Sequence, residues 1–313
     1  MILSIVIPVY NSEDILSELI NQITLEINKK INLFKEFEII LVNDNSTDNS
    51  WQKIKDITNN QKNIIGINLS KNFGQHNALI AGIKNSRGDF LITMDDDLQH
   101  PPSYIIKIIN KLNEGFDVCY TKYQNNKYSF IKKLGSIVND KVANIVLEKP
   151  KNIYLSSYKG IKKNVINELK KFNGPYVYLD GIILNVTGNI GSIDIKHNKR
   201  LKGNSGYSFK KLFSLWLKVF TNSSIFPLRV ASVTGFIVTL ISLFLAILLI
   251  IIKIRNPEIP QGWTSIATFI FFFSGVQLLA LGIIGEYIGR IFINLNQKPQ
   301  YIIKEQTRNN LHE

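Results

Sequence analysis

Two stretches near the C-terminal end of the chain, residues 230–252 and 264–284, contain no charged residue. Each is long enough to cross a bilayer, which takes about 20 apolar residues. The competing reading, two buried core helices, fits poorly, because helices at the surface of a globular core keep a polar face. Trp263 and Tyr287 flank the second run in the manner of interfacial anchors. The link between the runs, 253–262, is short and carries Pro257 and Pro260, so the pair reads as a transmembrane hairpin with both ends on one side. Lys253 and Arg255 lie in the link. Lys210, Lys211, Lys218 and Arg229 precede the hairpin, and Arg290, Lys298, Lys304 and Arg308 follow it. This basic excess assigns both flanks to the cytoplasm. Residues 207–220 mix aromatics and lysines at helical spacing and read as an interfacial helix, or else as an ordinary domain helix. The expected organisation is a globular domain over 1–205, an interfacial amphipathic segment over 206–228, two transmembrane helices over 229–290 and a cytoplasmic tail over 291–313.

A length of 313 residues suits about two domains. The formal net charge of +13 favours anionic partners such as nucleic acid, anionic lipid or phosphorylated substrates. The basic residues cluster near the apolar runs and form no nucleic-acid-binding motif, so no nucleic-acid partner is expected. The single cysteine, Cys119, cannot form an internal disulfide and suits a reducing compartment. The first eight residues lack a basic region and a cleavage pattern, and read as a strand and not as a signal peptide.

Up to about residue 120 the sequence alternates strand and helix signals. Apolar runs at 3–8, 38–42, 63–69 and 89–94 read as strands. Segments 13–31, 51–57, 77–85 and 104–113 carry apolar residues at helical spacing. Repeated βα units predict an α/β domain with a mostly parallel, Rossmann-like sheet. The pattern weakens over 120–205, where 123–139 is polar and basic and reads as a mobile loop over the site.

The strand at 89–94 runs straight into Asp95-Asp96-Asp97. Adjacent acids repel one another, and burying such charges unpaired costs on the order of several kcal/mol each. A divalent cation holding a diphosphate would offset that cost, because hard cations take oxygen ligands and Mg²⁺ usually shares its shell with phosphates. The solvated acidic turn is the alternative. Three other polar loops also follow strands: Pro8 to Glu13, Asn43 to Ser46, and Ser70 to His76. Open α/β sheets bind ligands at the C-terminal ends of their strands. Four such loops in succession therefore predict one composite site.

These loops together resemble family 2 glycosyltransferases of the GT-A fold, and more narrowly the polyisoprenyl-phosphate glycosyltransferases. That group includes dolichol-phosphate mannose synthase and the bacterial undecaprenyl-phosphate glucosyl- and aminoarabinose-transferases. The resemblance runs along nearly the whole chain. It includes Val42-Asn43-Asp44, Asn72-Phe73-Gly74-Gln75-His76, and the run from Asp95 through Asp97-Leu98-Gln99-His100 to Pro102. It continues in Arg200, Gly203, Ser205, Tyr207 and Ser208, and ends in Gly285-Glu286-Tyr287-Ile288-Gly289-Arg290.

The resemblance implies that Asp95 and Asp97 bind Mg²⁺ or Mn²⁺ and, through it, the donor diphosphate. Asp96 takes the middle position, and alternation along a strand would point it the other way. Asp44 matches the acid that recognises the base. Pro8, Tyr10 and Glu13 match the first nucleotide-contacting loop, Lys71 and Asp96 are further nucleotide-sugar candidates, and Gln99 sits close enough to reach the sugar or metal shell. Arg200 matches a phosphate-holding residue, with Lys202 and Ser205 beside it at the acceptor phosphate. Two departures stand out. Ser157 occupies the place of an acid carried by many relatives, which makes Asp180 a candidate substitute or else a turn aspartate. Gly206 stands where many relatives have lysine.

The implied reaction is metal-dependent and inverting. A lipid phosphate oxygen displaces the nucleoside diphosphate, UDP being the expected one, at the sugar's anomeric carbon. A phosphate monoester has a second pKa of ~6 and is largely ionised at neutral pH, so a dedicated base is dispensable. The expected setting is the cytoplasmic face of a bacterial inner membrane, with undecaprenyl phosphate as acceptor and cell-envelope glycan as the destination. The relatives suggest a homo-oligomer, a tetramer. A processive polysaccharide synthase is disfavoured, since no Gln-x-x-Arg-Trp motif is present. A non-catalytic scaffold that binds nucleotide sugar and recruits a flippase is the alternative from another class, and a broken metal pair would mark it.

Overall fold

The computed structural model describes residues 1–123, 153–174, 177–195, 262–295 and 299–307, with individual helical positions between 233 and 255. The chain divides into two compact units. One comprises Met1–Tyr207 with Pro299–Glu313, and the other Ser208–Lys298.

In the first unit the strands are β1 (Ile2–Val9), β2 (Glu36–Asn43), β3 (Ile64–Leu69), β4 (Phe90–Thr93), β5 (Val118–Tyr123), β6 (Lys159–Lys162), β7 (Ile190–Ile195) and β8 (Ile303–Gln306). The helices are α1 (Leu16–Asn28), α2 (Ser50–Asn60), α3 (Gln75–Lys84), α4 (Ile105–Asn113), α5 (Lys163–Lys171) and α6 (Leu179–Val186). The strands form one sheet in the order β7-β5-β6-β4-β1-β2-β3-β8. The four strands expected from the sequence, β4-β1-β2-β3, are parallel neighbours. The remaining strands make the sheet mixed. β6 runs antiparallel to β4 and β5, β8 runs antiparallel to β3, and β7 is parallel to β5.

The apolar pattern explains the layering. Successive strand residues point to opposite faces, so a strand buried on both sides is apolar throughout. In β1, Leu3, Ile5, Ile7 and Val9 enter one core, where they meet α1, α2 and α4. Val6 enters the other, against α3, α5 and α6. β2 divides likewise, Ile39 and Leu41 to the first core, Ile40 and Val42 to the second. Each such side chain, fully buried, contributes roughly 1.5–3 kcal/mol. The helix α3 lies so close to the sheet that a Cβ on Gly82 would sit 2.3 Å from Val6 Cγ1.

The C-terminal segment, expected as a tail, returns to this sheet as its edge strand. β8 pairs with β3 through Ile67–Gln306, Asn68–Glu305 and Leu69–Ile303, with a register shift between Asn68 and Leu69. Gly66 N–H donates to Thr307 Oγ1 at 2.9 Å, and Trp51 Nε1–H to Glu305 Oε2 at 2.8 Å. Ser70 N–H donates to Ile302 O at 2.9 Å, and Gln300 Nε2 to Gly174 O at 2.6 Å.

In the second unit, α7 (Trp263–Leu295) is one helix of 33 residues. Its window Phe272–Gly289 has a mean hydropathy of 1.4, and among the described residues it is the one helix long and apolar enough to cross a membrane. It includes the expected run 264–284 and continues past it, because the charged residues that end the apolar stretch do not break a helix. Most of the other expected span, the interfacial segment 206–228 and nearly all of the loop 123–139 lie outside the described residues.

Candidate active site

The parallel strands deliver four loops to one edge of the sheet, where a cleft of about 370 Å³ opens. Pro8, Val9 and Tyr10 line it from β1, and Asp44 from β2. Asn72, Gly74 and Gln75 come from the turn into α3, and Asp95, Asp96 and Asp97 follow β4. The loops bend sharply. Asn11 and Asn45 both adopt φ of 55°, a left-handed conformation that asparagine tolerates well. Leu98 adopts φ of 58° immediately after the acidic triplet. For a leucine that conformation costs on the order of 1–3 kcal/mol, a strain of the kind concentrated at functional sites.

β4 ends at Thr93, so the triplet lies in a bend beyond the strand. Strand alternation therefore does not set the directions of the three carboxylates, and the loop does. Asp96 turns toward the β1 loop, where its Oδ2 accepts from Tyr10 N–H at 3.1 Å and Ser12 Oγ at 2.5 Å. Burial pushes its pKa up to about 6. The two hydrogen bonds pull it down, and Asp95 and Asp97 add to the rise. Asp95 turns the other way, accepting from Gln75 Nε2 and Ser157 Oγ, each at 2.6 Å. Asp97 Oδ1 accepts from Gln99 N–H at 3.1 Å.

Asp44 is buried, and both its oxygens hold the neighbouring loop. Phe73 N–H donates to Oδ1 at 2.7 Å and Gly74 N–H to Oδ2 at 2.8 Å. Burial raises its pKa and these two bonds oppose the rise. Gly74, at φ of 90°, makes the turn that aims both N–H groups at one carboxylate. Glu13 Oε2 accepts from Asn49 N–H, just ahead of α2, at 2.7 Å. Lys71 is exposed, with Nζ 5.0 Å from the Phe73 ring centroid. Glu13, Lys71 and Gln99 do not line the cleft.

Asp180, the candidate substitute acid, is buried on α6 in an ion pair with Lys159 and accepts a hydrogen bond from Tyr120 Oη at 2.8 Å. It too is absent from the cleft lining, and a carboxylate so engaged is poorly placed to take a proton from substrate. Arg200, Lys202 and Ser205 lie outside the described residues.

Sequence reasoning left Ser12, Gln75 and Ser157 without roles, although each binds a carboxylate of the triplet. Gln75 and Ser12 lay inside loops already singled out. Their partners depended on side-chain direction, which spacing alone does not give.

Among the described residues, the cleft lining includes four aspartates and no lysine or arginine. Such a cleft repels a free anion and attracts a cation or a cation-bridged anion. Asp95 and Asp97 supply hard oxygen donors of the kind Mg²⁺ and Mn²⁺ prefer. Among the described residues no three His, Cys, Asp or Glu side chains group closely enough to hold a metal unaided. Two carboxylates with oxygens from a bound diphosphate and water make a fitting donor set.

The model of glycosyl transferase family 2 matches residues 4–170. The chain is 32% identical over 309 residues to the undecaprenyl-phosphate 4-deoxy-4-formamido-L-arabinose transferase of Proteus mirabilis (strain HI4320), covering 96% of this chain and 93% of that one. The protein of the same name from Enterobacter sp. (strain 638) is 32% identical over 304 residues, covering 96% and 92%. Among solved structures, glucosyl-3-phosphoglycerate synthase from Mycobacterium tuberculosis in complex with Mn²⁺, uridine diphosphate and phosphoglyceric acid superposes with a TM-score of 0.52 at 15% identity. The match covers 70% of this chain and 76% of that one. At that identity the likeness is one of fold, the GT-A arrangement of a mixed α/β sheet.

Proposed function

The chain belongs to glycosyl transferase family 2 and is a glycosyltransferase, and we propose that it moves a sugar from a UDP-linked donor to a polyisoprenyl phosphate, undecaprenyl phosphate, at the cytoplasmic face of a bacterial inner membrane. The observation that carries this reading is the acidic cleft at the C-terminal edge of the parallel strands, in a chain that matches undecaprenyl-phosphate sugar transferases over 96% of its length.

In this reading the loops after β1, β2 and β3 hold the nucleotide, with Pro8 and Tyr10 on one side and the turn fixed by Asp44 on the other. Asp95 and Asp97 hold Mg²⁺ or Mn²⁺, which when bound supplies Lewis-acid charge at the leaving diphosphate. Arg200, Lys202 and Ser205 take the acceptor phosphate. The acceptor arrives ionised, its second pKa lying at about 6, so the protein's work is to orient two anions and screen them from each other. Displacement at the anomeric carbon breaks its bond to the diphosphate, forms one to the acceptor oxygen and inverts the centre. Asp180 serves the fold by balancing Lys159. The strands before and after the segment Ser208–Lys298, β7 and β8, belong to one sheet, and this supports an even number of membrane crossings. A homo-oligomer is part of the proposal, in line with the family resemblance. A non-catalytic scaffold would not need the metal pair, and both Asp95 and Asp97 stand at the cleft.

The test is transfer by the purified protein. With undecaprenyl phosphate, Mg²⁺ and a panel of labelled UDP-sugars, one donor yields a lipid-linked sugar. Absence of transfer from every donor, with Asp97→Asn supporting the cell as well as wild type, contradicts the proposal.

A further inference from the structure

The side chain of Asp95 is held on both oxygens by uncharged donors from two different segments. Gln75, the first residue of α3, reaches Oδ1, and Ser157 reaches Oδ2, each at 2.6 Å. Both donors are themselves anchored. Gln75 follows Gly74, whose N–H is bound to Asp44. The Ser157 carbonyl accepts from Thr93 Oγ1 at 2.6 Å, and Thr93 is the fully buried end of β4. A third group fixes the backbone. Asp95 N–H donates to His100 Nδ1 at 3.1 Å, and His100 is buried and stacked on Tyr158 at 5.1 Å. With Nδ1 accepting, a neutral His100 carries its proton on Nε2, 3.9 Å from Asp95 Oδ2.

We propose that Gln75 and Ser157 are positioning residues that fix the Asp95 carboxylate for a divalent cation. Neutral donors suit that task. They orient the carboxylate while leaving its full negative charge to the metal, whereas a lysine or arginine in the same place would compete with it. The inference rests on the proposed reading that Asp95 binds a metal. It adds which residues tune that ligand.

Mn²⁺ binding to the purified full chain in the presence of UDP, read from the loss of the free Mn²⁺ electron paramagnetic resonance signal, tests it. Ser157→Ala and Gln75→Ala should each weaken Mn²⁺ by about 10–100-fold, the usual effect of removing an outer partner of a metal ligand. Ser157→Thr, which keeps the hydroxyl, should restore most of the affinity. The double variant should lose less than the product of the singles, because both act through one carboxylate. Melting temperatures of the same samples separate a lost site from a lost fold, and weakening at an unchanged melting temperature supports the proposal. Alanine variants that bind Mn²⁺ like wild type, while Asp95→Ala does not, overturn it and leave the metal reading standing. Weakening matched by a general fall in melting temperature also overturns it. A wild-type chain that takes up no Mn²⁺ with UDP overturns the metal reading and this inference together.

Discussion

Asp96 keeps its carboxylate on the β1 loop, bound by Tyr10 N–H and Ser12 Oγ, and Asp95 and Asp97 are the two carboxylates proposed to hold a cation at the cleft. Asp97→Asn keeps the shape and removes one charged ligand. Transfer should fall on the order of 100-fold or more, which corresponds to losing several kcal/mol of charge stabilisation. Initial rates with saturating Mg²⁺ check this. His76 yields a prediction about pH. It packs edge-on to Tyr178 at 5.3 Å, and its buried Nδ1 has no hydrogen-bond partner among the described residues. Burial lowers its pKa from 6.5, the nearby Asp180 opposing and Lys159 adding to the effect. The folded state thus binds fewer protons than the unfolded state. The stability from a neutral His76 is complete above pH 6.5 and is lost as pH falls below that value toward the depressed folded pKa. His76→Phe keeps the aromatic contact and should flatten the fall in melting temperature between pH 7.5 and 5.5. An unchanged slope counts against the assignment. Asp44, Asp95 and Asp97 were legible in the sequence as candidates because they follow strands. Their hydrogen-bond partners were not, since these depend on side-chain direction. Asp44 shows this best, its two oxygens spent on Phe73 and Gly74.

At the scale of elements, β1 to β4 and the helices between them could be read because their cause is local. Each of those strands is largely buried and apolar, and each helix repeats its apolar residues every three or four positions. β6, with the sequence Lys-Gly-Ile-Lys, and β8, Ile-Lys-Glu-Gln, carry no such pattern. Their partners lie far away in sequence, β8 pairing with β3 across more than two hundred residues. No local propensity encodes that. Just before β8, Ile302 O accepts from Ser70 N–H, at the start of the loop that leads to Asn72 and Gly74 at the cleft. A chain ending at residue 298 would expose the edge of β3 and strip Trp51 Nε1 and Ser70 N–H of their partners. We expect a lower melting temperature and weaker UDP binding, read by calorimetry. Equal UDP affinity in the shortened chain would mean that the edge strand does not shape the donor loop.

For the molecule as a whole, the return of β8 constrains topology. The strands before and after the segment Ser208–Lys298, β7 and β8, belong to one sheet, which supports the proposed even number of membrane crossings. The hairpin expected from the two apolar runs meets that condition, and the proposal puts the link 253–262 alone on the far side. Cys119, the single cysteine, is fully buried, so Glu258→Cys provides a clean reporter. A membrane-impermeant maleimide should label it in intact cells, and a cysteine appended after Glu313 should react only after lysis. Labelling of both from outside would contradict the arrangement. The central claim concerns what crosses from donor to acceptor, a sugar without its phosphate. Its most direct measurement is the pair of products formed from a UDP-sugar and undecaprenyl phosphate, followed by mass spectrometry. The account predicts UDP and a lipid carrying one phosphorus atom per sugar, in equal amounts. UMP with a lipid diphosphate, or UDP with no glycosylated lipid, would contradict it.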